Sequence, residues 1–120
     1  MIAPQKNKVF VDLTPEQLIA FYKDNTSIQA DKLVASSIGK WMPISGKLDQ
    51  VISSFPGFAQ LTFAGRGTGT QVFMYFRGQM LIDRLALLKR GTKITVHGPI
   101  EKVDPFAVHL SDCELIEVQS

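Results

Sequence analysis

Apolar positions in this chain recur first at helical spacing, then every second residue, then briefly at helical spacing again, and then every second residue to near the end. The first stretch opens at Leu13-Thr14-Pro15-Glu16-Gln17, where several helix-start signals coincide. Thr14 can cap, Pro15 suits the first helical position, and Thr14-x-x-Gln17 is a capping box. Glu16 adds negative charge at the positive end of the helix dipole. Leu18, Phe21, Tyr22, Leu33 and Val34 carry the stripe onward, thinned at Asn25-Thr26-Ser27. The pattern predicts one helix over about 14–36, roughly 33 Å long at 1.5 Å per residue.

After Gly39 the period falls to two. Met42, Ile44 and Leu48 mark a first strand, and Ser53-Ser54-Phe55-Pro56-Gly57 reads as a turn. Ala59, Leu61 and Phe63 form a second strand, and Gly65-Arg66-Gly67-Thr68-Gly69 a loose hairpin tip. Gln71 to Arg77 is the clearest strand, with Val72, Met74 and Phe76 on one face and Phe73, Tyr75 and Arg77 on the other. Met80, Leu81, Arg84, Leu85 and Leu88 fit one face of a short helix that Gly91 stops. Two strands close the chain, from Thr92 to Val103 and from Phe106 to about Glu117. A loop Val103-Asp104-Pro105 between them puts Ile100 and Val108 on one core face, together with Ile94, Val96 and Leu110.

Two segments share a spacing. Ile44-Ser-Gly46-Lys-Leu48-Asp-Gln-Val51 and Val96-His-Gly98-Pro-Ile100-Glu-Lys-Val103 each set one glycine inside an alternating strand. Glycine there predicts a bulge or bend that carries a long strand round a barrel corner. The order helix, three strands, helix, two strands is that of the OB-fold, a five-stranded Greek-key barrel, mostly β, with a helix between strands 3 and 4. Residues 1–12 read as an N-terminal extension and 13–118 as a single domain.

Leu18, Tyr22, Asn25, Ala30, Gly39 and Ile44-Ser45-Gly46-Lys47 resemble the pattern of the tRNA_anti-like family of small bacterial OB-fold proteins. The run Leu88-Lys89-Arg90-Gly91-Thr92-Lys93-Ile94-Thr95-Val96-His97-Gly98 and the segment Val108 to Ile116 extend the resemblance over roughly Leu13 to Ile116. It implies an OB barrel and a nucleic-acid-binding or lipoprotein setting. The lipoprotein cysteine has no counterpart near the start, so that feature does not carry over.

Composition narrows the classes. At 120 residues, with 45% hydrophobic and 20% charged side chains, the chain can bury its own core without a metal or disulfide staple. Its one cysteine, Cys113, is expected to pack as a small apolar residue. No apolar run is long enough for a membrane span. A cytoplasmic setting is expected if Met1 is the native start, and an anchored or exported one if an upstream segment was removed. Net charge is only +2, yet Gln60–Ile100 holds six bases against one acid, and Glu101–Ser120 one base against five acids. Such asymmetry suits either a basic binding surface with an acidic flank or solvated faces.

Catalysis finds no constellation: His97 and His109 fall on different strands, with no nucleophile elbow or carboxylate pair beside them. No ligand spacing points to a metal, and no motif to a cofactor. Gly65-x-Gly67-x-Gly69 lacks the Lys-Ser/Thr ending of a phosphate loop and does not open a helix. The expectation is a binding module and not an enzyme.

OB barrels bind single strands on the outer face of strands 2 and 3 and the flanking loops. The candidate nucleic-acid-binding residues are therefore Phe55, Phe58, Arg66, Phe73, Tyr75 and Arg77. Single-stranded DNA or RNA is one expected partner, and a protein partner or second copy of the chain is the other. A rival role for Phe73 and Tyr75 is to be covered by the N-terminal helix, whose apolar stripe needs a surface.

Overall fold

Two helices, where the sequence pattern predicted one, precede the sheet in the computed structural model, which describes residues 8–64 and 71–119 (for 54 and 55 the backbone only). Helix α1 spans Pro15–Asp24 and starts as expected. The Gln17 amide donates to Thr14 Oγ1 at 3.1 Å, and the Thr14 amide to Gln17 Oε1 at 2.8 Å. The single-helix expectation fails at Asn25, whose backbone is extended, and Thr26 then caps α2, Ser27–Ala35, by accepting from the Gln29 amide. Polar residues that merely thinned the stripe are a stop and a second start.

The strands are β1 (Trp41–Phe55), β2 (Phe58–Phe63), β3 (Gln71–Arg77), β4 (Lys93–Val103), β5 (Ala107–Leu110) and β6 (Glu114–Gln119), with helix α3 (Gln79–Ala86) between β3 and β4. The order β1-β2-β3-β5-β4 closes through β4–β1 pairing into a five-stranded barrel, with only β3–β5 parallel. That is the predicted OB-fold. The turn between β1 and β2 is tighter than expected, confined to Pro56-Gly57 with Gly57 at φ +84°. The predicted tip at 65–69, with Arg66, lies outside the described residues.

The last predicted strand is two strands. It breaks at Ser111-Asp112-Cys113, where Asp112 takes φ +46°. The Ser111 amide donates to the Pro99 carbonyl at 3.1 Å and the Cys113 amide to the Tyr75 carbonyl at 3.0 Å, so the break is pinned on both sides. Beyond it, β6 runs antiparallel along the first half of β4.

Alternation fills the barrel as read. Every position assigned to the barrel face, from Met42 through Met74 and Phe76 to Leu110, is buried in one cluster. Leu18, Ile19 and Val34 from the two N-terminal helices join that cluster.

Gly46 and Gly98 are not themselves bulged: Gly46 pairs with Ile94 and Gly98 with Met42 in regular register. A Cβ on Gly46 would meet the Phe63 ring at 2.8 Å, and one on Gly98 would meet Cys113 Sγ at 2.5 Å. The bulges fall three residues later in each repeat, at Asp49 between Leu48 and Gln50, and at Glu101 between Ile100 and Lys102. Each extra residue reverses parity, so Leu48 and then Val51, or Ile100 and then Val103, keep one side of their strand toward the core. Glycine clears the approach, and the bulge turns the corner.

Candidate nucleic-acid interface

Strand β3 supplies the platform because its alternation is strict. Val72, Met74 and Phe76 fill the barrel, leaving Phe73 and Tyr75 half-buried outside and Arg77 exposed. Parallel pairing with β5 sets His109 opposite Phe73. The His109 ring lies 5.3 Å from Phe73, inclined by 29°, and 6.3 Å from Tyr75, inclined by 4°. Three flat side chains thus stand in one row.

His109 is oriented from the loop before it. His109 Nε2 donates to Asp104 Oδ2 at 3.1 Å, while Asp104 Oδ1 accepts the amides of Phe106 at 2.9 Å and Ala107 at 2.8 Å. Burial by itself would raise the Asp104 carboxyl, but these hydrogen bonds prevail and hold it below the ordinary aspartate value. The same turn leaves Phe106 largely in solvent, 71% exposed, where its carbonyl receives the Gln71 amide at the start of β3.

At the other end of β3, Arg77 faces Phe58 across the β2–β3 pair. Its guanidinium stands 5.1 Å from the Phe58 ring centre, with Nε 3.2 Å from Asp112 Oδ1. Phe58, Tyr75, Arg77, Glu101, Ser111 and Asp112 line an open cleft of about 270 Å³ floored by Phe76. Burial, and then the charge of Glu101, push the Tyr75 phenol above its ordinary value.

Four of the six predicted residues, Phe58, Phe73, Tyr75 and Arg77, therefore share one face. The Phe55 side chain and Arg66 lie outside the described residues. Helix α1 packs on α2 and β5 and sends Leu18 and Ile19 into the barrel cluster, with the Tyr22 hydroxyl 2.6 Å from Asp31 Oδ1 and 3.2 Å from the Val103 carbonyl. Its stripe is satisfied there, and Phe73 and Tyr75 keep part of their surface in solvent.

His109 and Phe106 escaped the sequence reading. The available signal was Asp104-Pro105, an aspartate that can fold a turn onto its own following amides. His97 stands apart from this row, edge-on to Phe10 at 5.0 Å, and burial lowers its pKa. Among the described residues no group of three His, Cys, Asp or Glu is placed to hold a metal ion. No described helix is long and apolar enough to cross a membrane.

The sequence matches no protein-family model, the tRNA_anti-like one included, and no curated protein. Solved structures do match. A Klebsiella pneumoniae "putative nucleic acid-binding lipoprotein" is similar at 16% identity and TM-score 0.60, over 85% of this chain and 87% of that one. A "putative aspartyl-tRNA synthetase" from Leishmania major aligns with 99% of this chain, which spans only 23% of that protein, at 10% identity and TM-score 0.56. The OBody AM1L10, bound to hen egg-white lysozyme, aligns over 98% of this chain and 99% of its own at 14% identity and TM-score 0.50. At such identities the likeness speaks for architecture, and it agrees with the strand order: this chain is an OB-fold barrel.

Proposed function

We propose that this chain binds single-stranded nucleic acid, with successive bases stacking on Phe73, Tyr75 and His109. The observation that carries the reading is the row of three outward rings held on paired strands of a rigid barrel. Stacking contributes about 1–3 kcal/mol per base and tolerates any sequence. Alternate residues of a strand stand about 6.7 Å apart, a spacing that favours an extended strand over a stacked duplex. Arg77 is the phosphate contact at one end. Its exposed pair with Asp112 is worth about 0–1 kcal/mol, so an incoming phosphate can displace it. The Klebsiella protein's name supports the same reading at the level of fold. Its description as a lipoprotein is compatible with an anchored setting for this chain if an upstream segment was removed.

A mobility-shift titration with oligouridylate at two salt concentrations tests it. The Arg77 phosphate contact alone would lose roughly 2.6-fold in affinity between about 50 and 200 mM salt. Absence of any shift at the lower salt rejects the proposal.

A second reading is a protein-interaction module. It is favoured by the acidic residues Glu101, Asp104 and Asp112 around the rings and by the lysozyme-bound OBody, which uses this fold against a protein. The module in either reading is a binder and not an enzyme.

A further inference from the structure

Three carboxylates border the aromatic row, and two are committed. Asp104 holds His109 and two loop amides, and Asp112 holds Arg77. Glu101 acts on Tyr75 through its charge alone, with no hydrogen bond or ion pair among the described residues. It is also the bulged residue of β4, and bulges re-aim a side chain. The equivalent bulged residue on β1, Asp49, is occupied: Arg90 Nε donates to its carbonyl at 3.0 Å and lies 3.8 Å from its carboxylate. One corner of the repeat is closed by a guanidinium, and the other is left open.

The open corner lies in the cleft that Phe58 and Tyr75 also line, together with Ser111 and Asp112 of the pinned turn. Aromatic side chains in a cleft offer a planar ring a surface to pack on, and a carboxylate beside them demands hydrogen-bond donors. We infer that the cleft is a base-reading subsite that prefers guanine, with Glu101 accepting from guanine N1–H and the N2 amino group. Guanine offers those two donors side by side, matching both oxygens of one carboxylate. Cytosine and adenine present one amino group beside an acceptor nitrogen. Uracil and thymine set their single N–H between two carbonyls, which a carboxylate repels. Arg77, at the mouth, meets the phosphate of the same nucleotide. The inference rests on the nucleic-acid reading and adds a preference to a surface otherwise tolerant of sequence.

Fluorescence anisotropy with the full chain decides it, using labelled oligothymidylate, an oligonucleotide of repeating TTG, and the same repeat with inosine for guanosine. The guanine repeat is expected to bind about 10- to 100-fold tighter than oligothymidylate, the range for a good bidentate reader. Inosine, which lacks the N2 amino group, should fall between. Glu101→Gln, at an exposed position, should shrink the ratio of guanine repeat to oligothymidylate toward one, with an unchanged thermal melt confirming the fold. Equal binding of guanine repeat and oligothymidylate by the wild type overturns the subsite and leaves the stacking surface standing. Binding of no oligonucleotide overturns both. A triarginine peptide whose binding is lost in Glu101→Gln, with no oligonucleotide bound, also overturns it and assigns the cleft to a protein side chain.

Discussion

Phe73 and His109 stand directly opposite one another on the parallel β3–β5 pair, their ring centres 5.3 Å apart. The stacking row is therefore built from two strands that α3 and β4 separate along the chain, and it exists only once the barrel is closed.

The double change Phe73→Ala with Tyr75→Ala should remove about 1–3 kcal/mol of oligonucleotide affinity per lost stack. Both side chains already meet solvent, so the melt should stay cooperative with a small shift in Tm. Anisotropy beside thermal denaturation reads the two effects separately. A large fall in Tm, in a protein that never bound oligonucleotide, would make these rings structural.

Core truncation should behave differently. Met74→Ala should cost about 2–5 kcal/mol and Phe76→Ala about 3–5 kcal/mol, since both side chains are fully buried. Urea denaturation with an unchanged slope measures the loss. A cost under about 1 kcal/mol would contradict the barrel assignment.

Gly98→Ala should destabilise by about 1–3 kcal/mol through overpacking, because the new methyl meets Cys113 Sγ and also Leu110 Cβ, at 2.9 Å. Adding Cys113→Ala removes the nearer obstacle, so the double variant should recover part of the loss. A double-mutant cycle showing strict additivity would refute the contact.

Cys113 should be chemically silent in the folded protein. Burial pushes its thiol up to about 12, leaving almost no thiolate near neutral pH. Iodoacetamide labelling at pH 8 should follow global unfolding, and rapid modification of native protein would show the site to be open.

Asp104 predicts an acid-side loss of stability. Its native pKa lies below the ordinary value of 3.8, so its bonds stabilise the fold fully above that value. The contribution disappears as pH falls through the lowered native pKa. Asp104→Ala should cost about 1–2 kcal/mol near neutrality, and the gap from wild type should close toward the acid limit. A gap that persists below the native pKa would mean that the carboxylate is not what holds the turn.

Where the pattern was short-range, the sequence was legible. Val72-Phe73-Met74-Tyr75-Phe76 assigns its own two faces, and the spacing shared by Gly46 and Gly98 marked both long strands. What escaped depended on register or on one residue's backbone. Thr26 looked like a weak place in one helix because Leu33 and Val34 continue the apolar stripe beyond it, although Leu33 is exposed. The split between β5 and β6 turns on Asp112 at φ +46°, a state that aspartate reaches without announcing it. His109 joined the site only through pairing with a strand far away in sequence, and no local period reports that.

The two bulges also govern how this protein can change length. Removing Asp49 or Glu101 would leave Leu48 and Val51, or Ile100 and Val103, at ordinary two-residue spacing with their inward side kept, and would take away the corner instead. A residue inserted in the regular part of either strand would shift parity, and every inward side chain beyond it would turn to solvent. The Pro56-Gly57 turn carries no such constraint, since residues added there leave the parity of both flanking strands intact. Insertions and deletions over the history of such a chain are thus excluded from the two long strands and left to the turns.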